Sequence, residues 1–177
     1  MQTKAQIMDA TGMQRSITRM AHEILERNKG LNGVILVGIQ TRGAVLADRV
    51  ADKLLEIEGS RPQVRHLDPR PYRDDIEAGQ VSREPVPGLD IKDKVVVLVD
   101  DVLYTGRTVR AALDAMLSTG RARVVQLAAL IDRGHRELPI RADFVGKNVP
   151  TARDEAISVH LREVDEEDGV WIVDDNA

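Results

Sequence analysis

No cysteine occurs in the 177 residues, which excludes disulfides, thiol nucleophiles and thiolate zinc sites. Whatever chemistry the chain performs uses oxygen and nitrogen groups. Aromatic residues are nearly as scarce, with only Tyr72, Tyr104, Phe144 and Trp171 present. The core must therefore be aliphatic, and a row of base-stacking platforms of the kind that grips single-stranded nucleic acid cannot be built. Long apolar runs are missing too: Val95 to Val99 and Leu127 to Ile131 hold five residues each, where a spanning helix needs roughly 18. No membrane partner is expected. There is no basic excess either, the formal net charge being −4, which argues against sequence-blind nucleic-acid binding and leaves room for a local basic face. The opening residues Met1 to Ala5 lead into polar sequence with no apolar h-region, so no secretory signal and a cytoplasmic location are expected.

What is present is one domain's worth of alternating patterns, residues 1–177. Ile17, Met20, Ala21, Ile24 and Leu25 form the stripe of an amphipathic helix, with Gly30 beyond its end. Val34 to Ile39 is a near-continuous apolar run, the mark of a strand covered on both faces. Ala47, Val50, Ala51, Leu54 and Leu55 repeat the helical stripe, and a shorter strand is expected over Gln63 to Leu67. Between Asp68 and Asp90, Pro69, Pro71, Gly79, Pro85, Pro87 and Gly88 punctuate a charged stretch, read as a long mobile loop. The core resumes with the strand Val95 to Val99 and a helix carrying Val109, Ala112, Leu113, Met116 and Leu117. Further strands are expected at Val124 to Ile131, Ala142 to Val145, Ile157 to Leu161 and Val170 to Val173. The alternation predicts an α/β fold with a mostly parallel sheet and right-handed crossovers.

The richest stretch runs from Val95 to Thr108, where a buried strand ends in Asp100 and Asp101 and passes through a Thr105-Gly106-Arg107-Thr108 loop into a helix. Ligands in open α/β sheets sit beyond the carboxyl ends of the strands, which puts both carboxylates at the crevice. Threonine hydroxyls and backbone N–H groups at the helix start favour a phosphate. A lone Asp-Asp is more often a helix cap than a site, but a buried strand, two acids and a phosphate-type loop in succession suit a sugar phosphate. Thr41-Arg42-Gly43 is a second strand-to-helix loop, with a cation and a glycine, that would meet a second anion on the same sheet edge. Gly38 and Gly43 have the spacing of a Walker A loop, but Ala44 and Val45 stand where Lys and Ser/Thr must follow, and no G-x-G-x-x-G occurs. His22, His66, His135 and His160 show no metal-ligand spacing.

Val97 to Thr108 resembles the phosphoribosyl diphosphate (PRPP) signature of type I phosphoribosyltransferases. Asp100-Asp101-Val102-Leu103-Tyr104-Thr105-Gly106-Arg107-Thr108 narrows the likeness. Together with Asp132 to Thr151, Thr18 to Glu23 and Tyr72 to Asp75, it resembles the bacterial pyrimidine-operon attenuation regulators that are also uracil phosphoribosyltransferases. The resemblance implies a type I phosphoribosyltransferase fold with a small hood drawn mainly from 132–177 and a flexible loop at 68–90. It implies that Asp100 and Asp101 bind the ribose hydroxyls and that the loop Val102 to Thr108 holds the 5-phosphate. Thr41, Arg42 and Gly43 would take the diphosphate through a strained peptide bond, and Tyr72 and Arg73 would belong to the closing loop. Arg133 and the backbone near Ile157 would face the uracil. Mg²⁺ would be carried by PRPP near Asp100 and Asp101, with no direct protein cage. Where the family commonly has Asp-Ile-Thr-Leu before Tyr-Arg-Asp-Asp, this chain reads Asp68-Pro69-Arg70-Pro71, so the loop should leave the sheet early.

Two basic groupings remain. Arg15, Arg19 and His22 recur along the polar side of the first helix, and Arg133, His135, Arg136, Arg141, Lys147 and Arg153 cluster in sequence. By spacing alone they are a solvated face and ion-paired hood surface. The resemblance instead implies an RNA face, with Thr18, Arg19, His22, Arg27, Arg141 and Lys147 meeting a pyrimidine leader mRNA, UMP as effector, and a homodimer or higher homo-oligomer. Arg19, opposite the apolar stripe, is expected to matter little to packing. Two other readings stay open: a phosphoribosyltransferase for another base without RNA binding, and an RNA regulator with vestigial catalysis.

Overall fold

The computed structural model describes residues 1–75 and 81–176. The continuous apolar runs become the centre of a five-stranded sheet: β2 (Val34–Ile39), β3 (Gln63–Leu67), β4 (Val95–Leu103), β5 (Val124–Asp132) and β6 (Phe144–Asn148), in the order β3-β2-β4-β5-β6. Every pairing is parallel, with Leu36 opposite Val97 and Val97 opposite Gln126. Helices α1 (Ala10–Asn28) and α2 (Arg42–Glu58) cover one face, where Leu36, Val95, Val97 and Leu130 pack with Met20, Ile24, Ala47 and Leu54. Helix α3 (Arg107–Thr119) covers the other, packing Ala112 and Met116 among Val37, Val96 and Leu98. Burial on both faces explains why these strands read as unbroken apolar runs.

A second, antiparallel sheet lies beside the first, in the order β1-β8-β7, from β1 (Thr3–Met8), β7 (Glu155–His160) and β8 (Gly169–Asp174). Strand β1 was not expected from its sequence. Four of its six residues are exposed, so only backbone pairing with β8 defines it. A one-turn helix, α4 (Arg162–Asp165), links β7 to β8.

The strand expected at Ala142 to Val145 begins instead at Phe144 and runs on through Lys147 and Asn148. As the edge of its sheet, β6 tolerates those polar residues. Its Gly146 lets it pass close to β5, because a Cβ there would drive into the Leu130 carbonyl. On the opposite edge β3 stops at Leu67, ahead of both prolines, and the chain turns into a 3-10 helix at Arg70–Tyr72 with Pro71 in its first turn. Tyr72, expected in the moving loop, is a core residue: it is buried on the α3 face and its hydroxyl donates to the Glu84 carbonyl at 2.5 Å. The rest of the expected mobile loop falls in part on residues 76–80, which lie outside the described residues. No described helix is long and apolar enough to cross a membrane.

Candidate active site

Strands β2 and β4 are parallel neighbours, so the turns leaving them open on one edge of the sheet. The two helices that follow receive no side-chain cap from their N-cap residues, the side-chain acceptor at the start of α3 being Thr105 Oγ1, 3.3 Å from the Arg107 N. Neither Thr41 before α2 nor Gly106 before α3 makes a capping hydrogen bond. Helix α1, which starts elsewhere, is capped by Asp9, whose carboxylate accepts the Gly12 N–H at 2.7 Å. The first-turn N–H groups of α2 and α3 therefore face the same edge with the positive ends of two helix dipoles behind them.

The two turns are pressed together by glycine. A Cβ on Gly38 would lie 2.5 Å from Ala44 Cα, which folds the β2–α2 turn back on itself. A Cβ on Gly43 would meet the Val99 carbonyl and stand 3.0 Å from Asp100 Cα and 3.2 Å from Asp100 Oδ1. Gly43 thus backs directly onto the end of β4. Between these residues the Gln40–Thr41 peptide is cis. Gly106, at φ +95°, lets the second turn enter α3 through a left-handed conformation.

At the end of β4 the alternation of side chains slips by one. Val95, Val97 and Val99 belong to the α1/α2 face and Val96 and Leu98 to the α3 face, yet Val102 packs on the first and Leu103 in the second. Asp100 and Asp101 occupy the slip. Each carboxylate folds onto the backbone of the next residue, Asp100 Oδ1 accepting the Asp101 N–H at 2.9 Å and Asp101 Oδ1 accepting the Val102 N–H at 2.8 Å. Asp100 is only 8% exposed, and burial, reinforced by the neighbouring Asp101 charge, holds its carboxyl well above the usual range. A buried acid in that condition favours a cation or a hydroxyl donor.

The expected phosphate loop is shorter than read. Val102 and Leu103 are still strand, and the Leu103 side chain is in the core, so these two offer backbone only. Tyr104 to Gly106 form the turn itself, and Arg107 and Thr108 open α3. Its Thr108 hydroxyl accepts from Arg73 Nη1 at 2.9 Å, which brings the Tyr-Arg-Asp-Asp segment onto the start of α3. Arg73 also forks onto Asp75 at 2.8 and 2.5 Å, and Asp74 pairs with Arg110 and lies 3.7 Å from Arg107. Arg42 is equally engaged, its Nε and Nη2 donating to Asp165 at 3.1 and 2.6 Å.

Arg133 is buried, donates from Nε to Thr151 Oγ1 at 3.0 Å and from Nη2 to the Glu155 carbonyl, and lies 3.9 Å from the centre of the Tyr104 ring. It ties the phosphate-side turn to the start of β7. Ile157 is half-buried and packs against the main core. Sequence reasoning missed Asp74 and Asp165. Both sit in acidic runs, Asp74-Asp75 and Asp165 to Asp168, whose bland reading is solvent.

Two parallel strands, two helix starts that open on one sheet edge and a paired carboxylate at their junction carry the signature residues in the expected order. The phosphoribosyl transferase domain family matches residues 4–163. The chain belongs to that family. Within it, this phosphoribosyl transferase is 56% identical to the bifunctional protein PyrR of Clostridium acetobutylicum over 97% of this chain and 98% of the relative. Its identity to the bifunctional protein PyrR of Ligilactobacillus salivarius is 55%, over 93% of this chain and 96% of that one. Among solved structures it resembles a hypoxanthine phosphoribosyltransferase from Trypanosoma cruzi, with TM-score 0.73 at 14% identity over 97% of both chains. A hypoxanthine phosphoribosyltransferase from Staphylococcus aureus gives TM-score 0.72 at 17% identity, over 98% of this chain and 93% of the other. Those two establish the type I phosphoribosyltransferase fold.

The residues expected to face RNA lie mostly along α1 and β6 of the phosphoribosyl transferase. Thr18 and His22 are on α1, Thr18 donating to the Gln14 carbonyl and His22 exposed. Arg27 stands 3.9 Å from Asp143, Lys147 Nζ lies 3.5 Å from the Ile7 carbonyl, and Arg141 is exposed. Arg19 departs from its expectation. Its guanidinium donates to the Val145 carbonyl at 3.2 Å and to the Gly146 carbonyl, closing the edge of β6, so it has a structural task as well.

Proposed function

We propose that this protein transfers the phosphoribosyl group of PRPP to uracil, releasing diphosphate and forming UMP, and that it binds pyrimidine leader mRNA under the control of UMP. The observation that supports this most is Gly43 backing onto Asp100. It sets two strand-to-helix turns beside a paired carboxylate on one edge of the sheet, an order that suits a sugar carrying a phosphate at one end and a diphosphate at the other. Asp100 and Asp101 take the ribose hydroxyls. Tyr104 to Thr108, with backbone from Val102 and Leu103, take the 5-phosphate. Thr41, Arg42, Gly43 and Arg73 take the diphosphate, and Arg133 with the backbone at Ile157 faces the base.

The donor set suits Mg²⁺ carried by the substrate. Among the described residues no three His, Asp or Glu side chains group as a metal cage, whereas two carboxylates beside diphosphate oxygens match a hard cation that keeps several waters. When bound, Mg²⁺ would neutralise the leaving diphosphate. The chain's own residues orient the two phosphate ends and place carboxylate charge beside the sugar as positive character develops at its anomeric carbon. No protein nucleophile is needed.

The test is a panel of uracil, hypoxanthine and orotate with PRPP and Mg²⁺, followed by filter binding of a pyrimidine leader hairpin with and without UMP. UMP formation from uracil alone, with RNA affinity raised by UMP, is the expected result. Turnover of another base without RNA binding, or RNA binding without turnover, overturns it in favour of the corresponding alternative. Sedimentation of the same samples tests the expected homodimer or larger homo-oligomer.

A further inference from the structure

The Arg42 side chain starts α2 in the turn that backs onto Asp100, yet its partner comes from the second sheet. Asp165, in the one-turn helix between β7 and β8, accepts from Arg42 Nε at 3.1 Å on Oδ2 and from Arg42 Nη2 at 2.6 Å on Oδ1. The same Oδ2 accepts the Leu161 N–H at 2.9 Å, and Asp165's own N–H donates to the Leu161 carbonyl at 2.7 Å. Its side chain is 16% exposed. The carboxylate is thus held by backbone before it meets the guanidinium.

Anchoring the two sheets together does not require Asp165. Arg49, two turns along α2, forks onto Glu163 at 2.9 and 2.5 Å and onto Asp168 at 3.2 and 2.7 Å, so the acidic turn is fastened on both sides of Asp165. Asp165 is therefore free for a separate task. A guanidinium carries five N–H donors in a fixed plane. Asp165 takes two of them, leaving both hydrogens of Nη1 and one of Nη2 for an anion.

We propose that Asp165 is a positioning residue, which fixes the plane of the Arg42 guanidinium so that its remaining donors are set for the diphosphate of PRPP. This rests on the reading of the site given above. An unbraced arginine would have to lose its rotamer freedom when the anion binds, and that cost is absent when the side chain is already ordered. The arrangement also couples the sheet on the base side to the turn that grips the leaving group.

Equilibrium binding of PRPP with Mg²⁺ and no uracil, by titration calorimetry, is compared for wild type, Asp165→Asn and Asp165→Ala, each alone and with Arg42→Ala. Asp165→Ala should weaken PRPP binding about 3- to 10-fold, Asp165→Asn less, since one acceptor remains. KM for PRPP should follow while KM for uracil stays within twofold, and neither Asp165 change should matter in the Arg42→Ala background. Melting should be little changed, because Arg49 still holds the turn. Should Asp165→Ala fail to fold, Asp165→Asn decides by the same measurements. Unchanged or tighter PRPP binding, a parallel rise in KM for uracil, or effects additive with Arg42→Ala overturn the positioning role while the enzyme reading stands. A wild type that neither binds PRPP nor forms UMP overturns both.

Discussion

Replacing Asp100 by Asn should make the protein more stable and nearly inactive. The carboxyl is 8% exposed, lies next to Asp101 and has no cation against it among the described residues. An amide of the same shape keeps the bond that Oδ1 accepts from the Asp101 N–H and removes the ionisable group whose burial is unfavourable. A gain of about 0.5–2 kcal/mol is expected, or roughly 2–6 °C in the melting temperature of a chain this long. The sign of the pH dependence follows from linkage. The folded-state carboxyl titrates above its unfolded value, so the folded protein holds a proton that the unfolded chain releases above the ordinary carboxylate range. Wild-type stability therefore falls as pH rises through that window until Asp100 itself ionises. The Asn variant lacks this slope, and its advantage should widen from pH 4 upward. Scanning calorimetry in EDTA from pH 4 to 8 measures both curves, and UMP formation at saturating PRPP should drop at least about 100-fold. A variant that melts below wild type, or that keeps most of its activity, refutes the reasoning.

Gly43→Ala should cost about 1–3 kcal/mol and raise KM for PRPP, because its methyl group would press on Val99 and Asp100; denaturant midpoints and initial rates check this. Arg133→Ala should destabilise by about 2–4 kcal/mol, since it empties a buried site and strips partners from Thr151 and the Glu155 carbonyl, as urea unfolding would measure. Arg49 holds Glu163 and Asp168, and Arg42 holds Asp165, below the usual carboxylate range, so their contribution is present above the unfolded pKa and lost as pH falls through the folded one. Arg49→Gln should therefore flatten the acid limb of a melting-temperature profile. Arg141→Ala should weaken hairpin binding and lower the log-affinity against log-salt slope by about one without changing the melting temperature, whereas Arg19→Ala should lower both affinity and melting temperature, as paired filter-binding and thermal scans would show.

The parts of this fold that could be read in the sequence are those where burial dictates residue type. Strands β2 and β4 are covered on both faces, so only apolar residues serve, and Asp100-Asp101 stands out because it ends such a run. Strand β1 gave no signal, since its pairing to β8 uses backbone that any exposed residue supplies. Tyr72 was misplaced for the opposite reason: prolines and charges on either side suggested a loop, and its burial depends on Glu84 and α3, distant in sequence. Asp165 and the β6-closing task of Arg19 were hidden because a charged side chain on a short turn or a helix's polar face looks the same whether it meets water or a partner more than 120 residues away.

The ion pairs around the site explain how an acidic protein can serve an anionic substrate. Four arginines that converge on its two turns are already neutralised: Arg42 by Asp165, Arg73 by Asp75, Arg107 by Asp74 and Glu137, and Arg110 by Asp74. Most of these pairs are partly exposed, and such pairs are worth little, about 0–1 kcal/mol each. On the proposed reading, a diphosphate that displaces these partly exposed carboxylates gives up little in broken contacts and gains charge-assisted bonds from cations already near the crevice. Asp165 differs from the others in being fixed by backbone, so it should remain on Arg42 while Asp74 and Asp75 yield. The same acidic neighbours weaken the field that the free protein presents to distant polyanions, which is why the proposed RNA face is a separate one, along α1 and the approach to β6, where Arg15, His22 and Arg141 are exposed to solvent.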